Sequence, residues 1–166
     1  MLITAANIRS VKVIALNVSD DRISPYIDEA ELLYVIDRIG AELYEALINR
    51  TDESTILGIN YNDLMNGCYY TDSNGVRQHS AGLINAISYL AFSRFVRYQN
   101  INITPFGVTL KTSLDSEKVE DKTIQSASME AFNTGMQFLQ ESINFKNNGT
   151  SVVQTVTRTK FKAIGD

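Results

Sequence analysis

Two side chains able to do covalent chemistry, Cys68 and His79, lie on either side of Asn74-Gly75, a dipeptide that turns a chain back on itself. A β-hairpin of Cys68-Tyr69-Tyr70-Thr71 with Val76-Arg77-Gln78-His79, paired about that turn, sets His79 across from Tyr70, two positions from Cys68. A thiol nucleophile needs a base, an acid that orients the base, and donors for the developing anion. No orienting acid and no anion hole can be picked out around this pair, so a structural thiol and a surface imidazole are expected. The acids Asp20, Asp21, Asp28, Glu29 and Glu31 suggest a cation site, but they lack the spacing and the glycine of a calcium loop. No glycine-rich phosphate loop, nucleophile elbow, paired cysteines or HExxH stretch occurs. The expectation is a protein without catalysis, cofactor or metal.

What remains is a question of surfaces and of the elements that present them. The 166 residues are one domain's worth, 44% hydrophobic and 20% charged, with no apolar run near the roughly 20 residues of a membrane helix. Val13-Ile14-Ala15-Leu16 is shorter than a signal-peptide core, so no export is read. Cys68 is the only cysteine, which makes a reducing compartment the default. The net charge of −4 is unevenly placed: Lys146, Arg158, Lys160 and Lys162 against Asp166 give residues 144–166 +3, which leaves −7 for residues 1–143. An acidic body argues against DNA binding by the body, because phosphate contacts need a cationic face.

Taken in order, residues 4–17 read as a short helix that ends extended. Ser24 as N-cap, Pro25 in the first turn and Asp28 and Glu29 near the positive end of the dipole open a helix near Pro25. Its apolar row Ile36, Ile39, Leu43 and Leu47 crosses Gly40, read as a break between two shorter helices. Residues 51–66 read as loop with a helical turn at Asn62–Asn66 stopped by Gly67, and the hairpin follows. Ser80 is then expected to cap a helix from Gly82 to Asn100 that is apolar nearly all round. Such a helix must be covered on more than one face, by its own domain or by another copy of the chain. Arg94 and Arg97 near its end offset the helix dipole. Pro105 prevents the helix from resuming, and Val108 to Lys111 leave as a strand. A last helix runs to about Phe145, with small residues Ala127, Ser128, Ala131 and Gly135 that let another helix approach.

The fold class is therefore mainly α: a compact bundle of about four helices over residues 1–146, a β-hairpin excursion at about 68–79, and an extended basic β-like tail over 147–166. The tail has high β-propensity and no helical period. It either folds back on Val108–Lys111 or adds to a sheet edge on a neighbouring subunit; the second is preferred, since the Asn147-Asn148-Gly149 joint allows reach.

Several segments, in this order, resemble the head-tail connector (adaptor ring) proteins of tailed bacteriophages, most closely those of crAss-like Bacteroides phages. They are Ile39-Gly40-Ala41-Glu42-Leu43-Tyr44, Leu64-Met65-Asn66-Gly67, Gly82-Leu83, Tyr89-Leu90-Ala91-Phe92-Ser93-Arg94-Phe95, Thr104-Pro105-Phe106-Gly107-Val108 and the Lys111 to Ser116 joint. The resemblance implies a helical subunit of a ring, commonly a dodecamer, beneath the portal protein in the neck of the virion, built in the host cytoplasm and extending the channel through which packaged DNA passes. Its partners are copies of itself, the portal and the next neck or tail ring, with no membrane. On that reading the assembly contacts are Asn74 and Gly75 of the hairpin and Thr104, Pro105, Phe106 and Gly107 of the helix exit; the tail after Gly149 lies outside the resemblance, and its contacts, Val152, Val156, Arg158, Lys160 and Lys162, are expected from composition alone. A stopper or tail-completion ring fits the same features. A small helical regulator binding nucleic acid through residues 158–162 is the reading from a different class.

Overall fold

The structure is a computed structural model that describes residues 1–15, 17–50, 54–99, 101–104, 107–110, 121–148 and 150–151. It begins with α1 (Ala5–Val11), where the Asn7 side chain accepts from the Thr4 backbone N–H at 2.9 Å; Lys12 is already extended. A 3₁₀ turn over Asp20–Arg22 leads into α2 (Ser24–Ala30). Ser24 is thus the first helical residue and not the cap, and its hydroxyl donates to the Asp20 carbonyl at 3.0 Å, an acceptor the preceding turn supplies. From α2 the helix runs without interruption through a π turn, Glu31–Val35, into α3 (Ile36–Ile39). The inner row Ile23, Ile27, Glu31, Val35 and Ile39 keeps a four-residue spacing through the π turn, with Ala30 buried beside it. On the opposite side of the turn Leu32 and Leu33 are 65% and 48% exposed. The expected break falls at Gly40, and α4 (Ala41–Ile48) continues beyond it with Leu43 and Leu47 buried.

Residues 54–60 contain a minimal hairpin, β1 (Thr55–Ile56) with β2 (Ile59–Asn60), where loop was expected. Asn60 caps α5 (Tyr61–Asn66) by accepting from the Asp63 N–H at 3.0 Å. The predicted hairpin is present as β3 (Cys68–Thr71) and β4 (Arg77–Ser80), but its register differs by one from the expected one: His79 pairs with Tyr69, and Tyr70 with Gln78. The connection is five residues long, because the Asp72 carboxylate accepts from the Asn74 and Val76 N–H groups, both at 2.9 Å, and so organises a wider loop than a two-residue turn. Ser80, expected as a cap, is instead the fully buried last residue of β4; the helix cap is Gly82.

The helix that follows, α6 (Leu83–Tyr98), lies against α1, α2, α5 and the long α7 (Asp121–Asn148). Its apolar circumference is thus covered within the chain, which resolves the choice left open by the sequence. On α7 the buried stripe is Ser128, Ala131, Gly135, Leu139, Ser142 and Phe145; Ala127 faces out. Gly135 makes the closest approach: a Cβ there would lie 2.8 Å from Leu90 Cγ and 3.1 Å from the Ala86 carbonyl. The Ser128 hydroxyl donates to the Ser93 carbonyl at 3.1 Å, and Tyr89 meets Phe138 edge to face at 5.4 Å.

Between these helices β5 (Ile101–Thr104) pairs antiparallel with β6 (Gly107–Leu110), with Thr104 opposite Gly107. The strand beyond Gly107 was expected; its partner before it was not. Finally β7 (Thr150–Ser151) pairs antiparallel with β3, Ser151 opposite Tyr70 and Thr150 opposite Thr71. The start of the tail therefore finds its partner inside the chain, on the free edge of the β3–β4 hairpin, neither on residues 108–111 nor on a neighbour. The edge was available because β3 bonds to β4 on one side only. Beyond Ser151 the tail lies outside the described residues. The fold is mainly helical with small antiparallel hairpins, as the sequence indicates.

Candidate functional site

Strand alternation decides the fate of the Cys68 and His79 pair. Cys68 is opposite Ser80 and shares its face, whereas His79 is opposite Tyr69 on the other face. Burial, and then the charge of Asp63, push the Cys68 thiol up to about 11, away from the thiolate a nucleophile requires. His79 stacks against Tyr69 at 4.9 Å, with Nδ1 4.0 Å from Glu141 Oε2. That same oxygen accepts from the Ala81 N–H at 3.2 Å, so the glutamate fastens α7 to the base of the hairpin. These residues form a structural joint.

The joint includes a crossing of two backbones. Gly67, which ends α5, and Gly82, which starts α6, both have φ near +90°. A Cβ on Gly67 would sit 2.4 Å from the Ser80 carbonyl oxygen, and one on Gly82 2.4 Å from the Gly67 nitrogen. The two glycines in the segments Leu64–Gly67 and Gly82-Leu83 are thus positions where no side chain fits. Tyr70, meeting Phe145 edge to face at 5.3 Å, pins the hairpin to the end of α7.

The tip of that hairpin is exposed. Asn74 and Gly75 stand there, with the Gly75 N–H bonded to the Asp72 carbonyl at 3.0 Å. The backbone N–H of Val76, followed by the Gln78 and Asn74 donors, holds the Asp72 carboxyl below its ordinary value. Thr104 and Gly107 face each other at the closed end of the β5–β6 ladder. Pro105, Phe106, Val152, Val156, Arg158, Lys160 and Lys162 lie outside the described residues.

A cavity of about 340 Å³ opens where the end of α6 meets α7 and the α2–α3 rod. Its lining includes Tyr34, Arg94, Arg97, Tyr98, Met129 and Phe132, with Ser93 and Ser128 at its floor and no carboxylate among the described lining residues. Tyr34 and Phe132 close one side edge to face at 5.4 Å. Arg94 is fixed by Nε to Glu29 and by Nη1 to the Tyr34 hydroxyl at 3.3 Å. Arg97 has no hydrogen-bond or ion-pair partner among the described residues. Near the C-terminal end of α6 both arginines also offset the helix dipole, the role their position in the sequence suggests. The signal available in the sequence was their three-residue spacing beside Tyr98, which breaks the apolar row and puts both on one face. Among the described residues no group of three or more His, Cys, Asp or Glu could hold a metal ion, and no helix is long and apolar enough to cross a membrane.

The chain belongs to a family of unknown function (DUF6712), which matches residues 36–151, from the end of the α2–α3 rod to β7. No curated protein and no solved structure matches it.

Proposed function

We propose that this chain is a virion structural protein: a subunit of the ring that joins the portal to the tail of a tailed bacteriophage and extends the DNA channel. The observation that carries the reading is the ordered set of segments from Ile39 to Val108 and its resemblance to adaptor ring proteins. All of them lie within the span matched by the family. The mechanism is assembly without catalysis. The helices form the wall, while the Asn74-Gly75 tip, residues 104–107 and the basic tail meet ring neighbours or the portal. Exposed apolar side chains on the helical body, Leu32, Leu33, Ile48 and Met129, support contacts with other proteins. The acidic body suits a channel that DNA must traverse without adhering, since like charge removes the counterion-release gain of basic surfaces. Native mass spectrometry of the chain purified with its portal protein tests the reading. A multi-copy complex with the portal is expected; a chain that stays monomeric and never joins portal or tail proteins overturns it.

A further inference from the structure

The α6–α7 cavity presents the cation Arg97, the outer face of α4 presents the carboxylates Glu42 and Glu45, and we propose that these two surfaces dock on each other in neighbouring copies of this chain. The proposal deepens the ring reading, rests on it, and names the two faces that meet.

On the cavity side, Arg94 and Arg97 are three residues apart on one helix, a rise of about 4.5 Å. Arg94 is held in place by Glu29 and Tyr34, which fixes the orientation of its remaining donors. Arg97 is exposed, its guanidinium 5.5 Å from the Tyr98 ring and without a hydrogen-bond or ion-pair partner among the described residues, and Met129, 56% exposed, supplies an apolar wall beside it. On the other side, Glu42, Glu45 and Ile48 lie at the same three-residue spacing along α4 and face outward. Neither glutamate has a hydrogen-bond or ion-pair partner among the described residues, and Ile48 is 45% exposed. The carboxylates and Ile48 of this row meet the Arg97 guanidinium and an apolar wall, with Arg94, its Nε already taken by Glu29, offering its remaining donors at the same pitch.

The two faces stand at different ends of the molecule. Lys146 Nζ donates to the Ile39 carbonyl at 2.7 Å, so α4 begins beside the last turns of α7. The cavity is lined by α7 residues from Gln125 to Phe132, about 20 to 30 Å back along the same helix at 1.5 Å per residue. A contact between such separated, unlike patches is head to tail: each copy has one face of each kind left to offer, and the chain of contacts ends only when a ring closes. The cavity's cations sit on a body that is otherwise acidic, which favours a local carboxylate on a protein partner over a polyanion such as DNA.

The experiment is a charge swap read by light scattering and sedimentation. The unmodified chain self-associates; Arg97→Glu and Glu45→Arg each weaken association at least tenfold; a one-to-one mixture of the two variants recovers it, because every contact in the mixture is again between opposite charges. Circular dichroism checks that each variant is folded. Should either fail to fold, a Cys68→Ser chain carrying both Arg97→Cys and Glu45→Cys must form intermolecular disulfides on oxidation that the Cys68→Ser chain with only one of them does not form. Association unchanged in both variants, a mixture as dissociated as its components, or an unmodified chain that is monomeric at every concentration overturns the docking. So does binding of a single-stranded oligonucleotide that Arg97→Glu abolishes. Rings that form on the portal despite the swap leave the connector reading standing and remove only these two faces.

Discussion

At Gly67 and Gly82 the chain crosses itself with room for hydrogen only, and both residues hold a backbone angle that side chains resist. Gly67→Ala or Gly82→Ala should lower stability by about 3 kcal/mol or more, from strain and overlap together, read as a lower urea midpoint. Glu31 makes a comparable demand. It is buried, and it accepts from the Leu2 N–H and the Tyr44 hydroxyl, both at 2.6 Å. Glu31→Leu removes both acceptors and should destabilise by about 2 to 4 kcal/mol. Burial, and then the bond to Glu31, raise the Tyr44 phenol well above its ordinary range; in the variant its ultraviolet titration should move back down. Asp72 acts in the opposite direction. Its folded value lies below the ordinary 3.8, so its contribution to the hairpin tip is present above that value and is lost as pH falls through the lowered one. Amide exchange at Asn74 and Val76 should accelerate in that acid range relative to neutral pH, after correction for intrinsic rates. Asp72→Asn should remove the step.

Among the elements, those specified by short-range chemistry were legible in the sequence, and those specified by distant partners were less so. The Gly40 break, the α5 stop at Gly67, the hairpin around Asn74-Gly75 and the close approach at Gly135 are each set by one or two residues, and each appears where expected. The hairpin register slipped by one because Asn-Gly signals a two-residue turn, while Asp72, just outside it, gathers two N–H groups into a longer loop. The π turn has no signal in the sequence, because the buried positions Ile27, Glu31, Val35 and Ile39 keep the four-residue spacing of an ordinary helix through it. No local signal reports that β7 pairs with β3, since only the folded body brings the edge of β3 to the end of α7. The Arg94 anchor was hidden for the same reason: Glu29 and Tyr34 lie 65 and 60 positions away. The helix–helix contact gives a test at this scale. Gly135→Val should force α7 from Leu90 and destabilise the chain by about 1 to 3 kcal/mol, seen as a lower melting temperature with helical content retained below it.

For the whole molecule, the covered circumference of α6 means that the subunit carries its own core. On the connector reading, assembly then depends on surfaces added to a complete fold: an acidic body, exposed apolar side chains, a cavity holding Arg97 and a basic tail. Truncation after Ser151 keeps every described element, so the shortened chain should retain its helical circular dichroism while losing the cationic tail and, with it, part of its assembly. The most direct measurement of the central claim is cryo-electron microscopy of the chain purified together with its portal protein. The connector reading predicts a closed ring of this chain stacked coaxially on the portal, with a continuous channel through both. A portal free of this chain, beside a monomer that joins no neck or tail component, would contradict it.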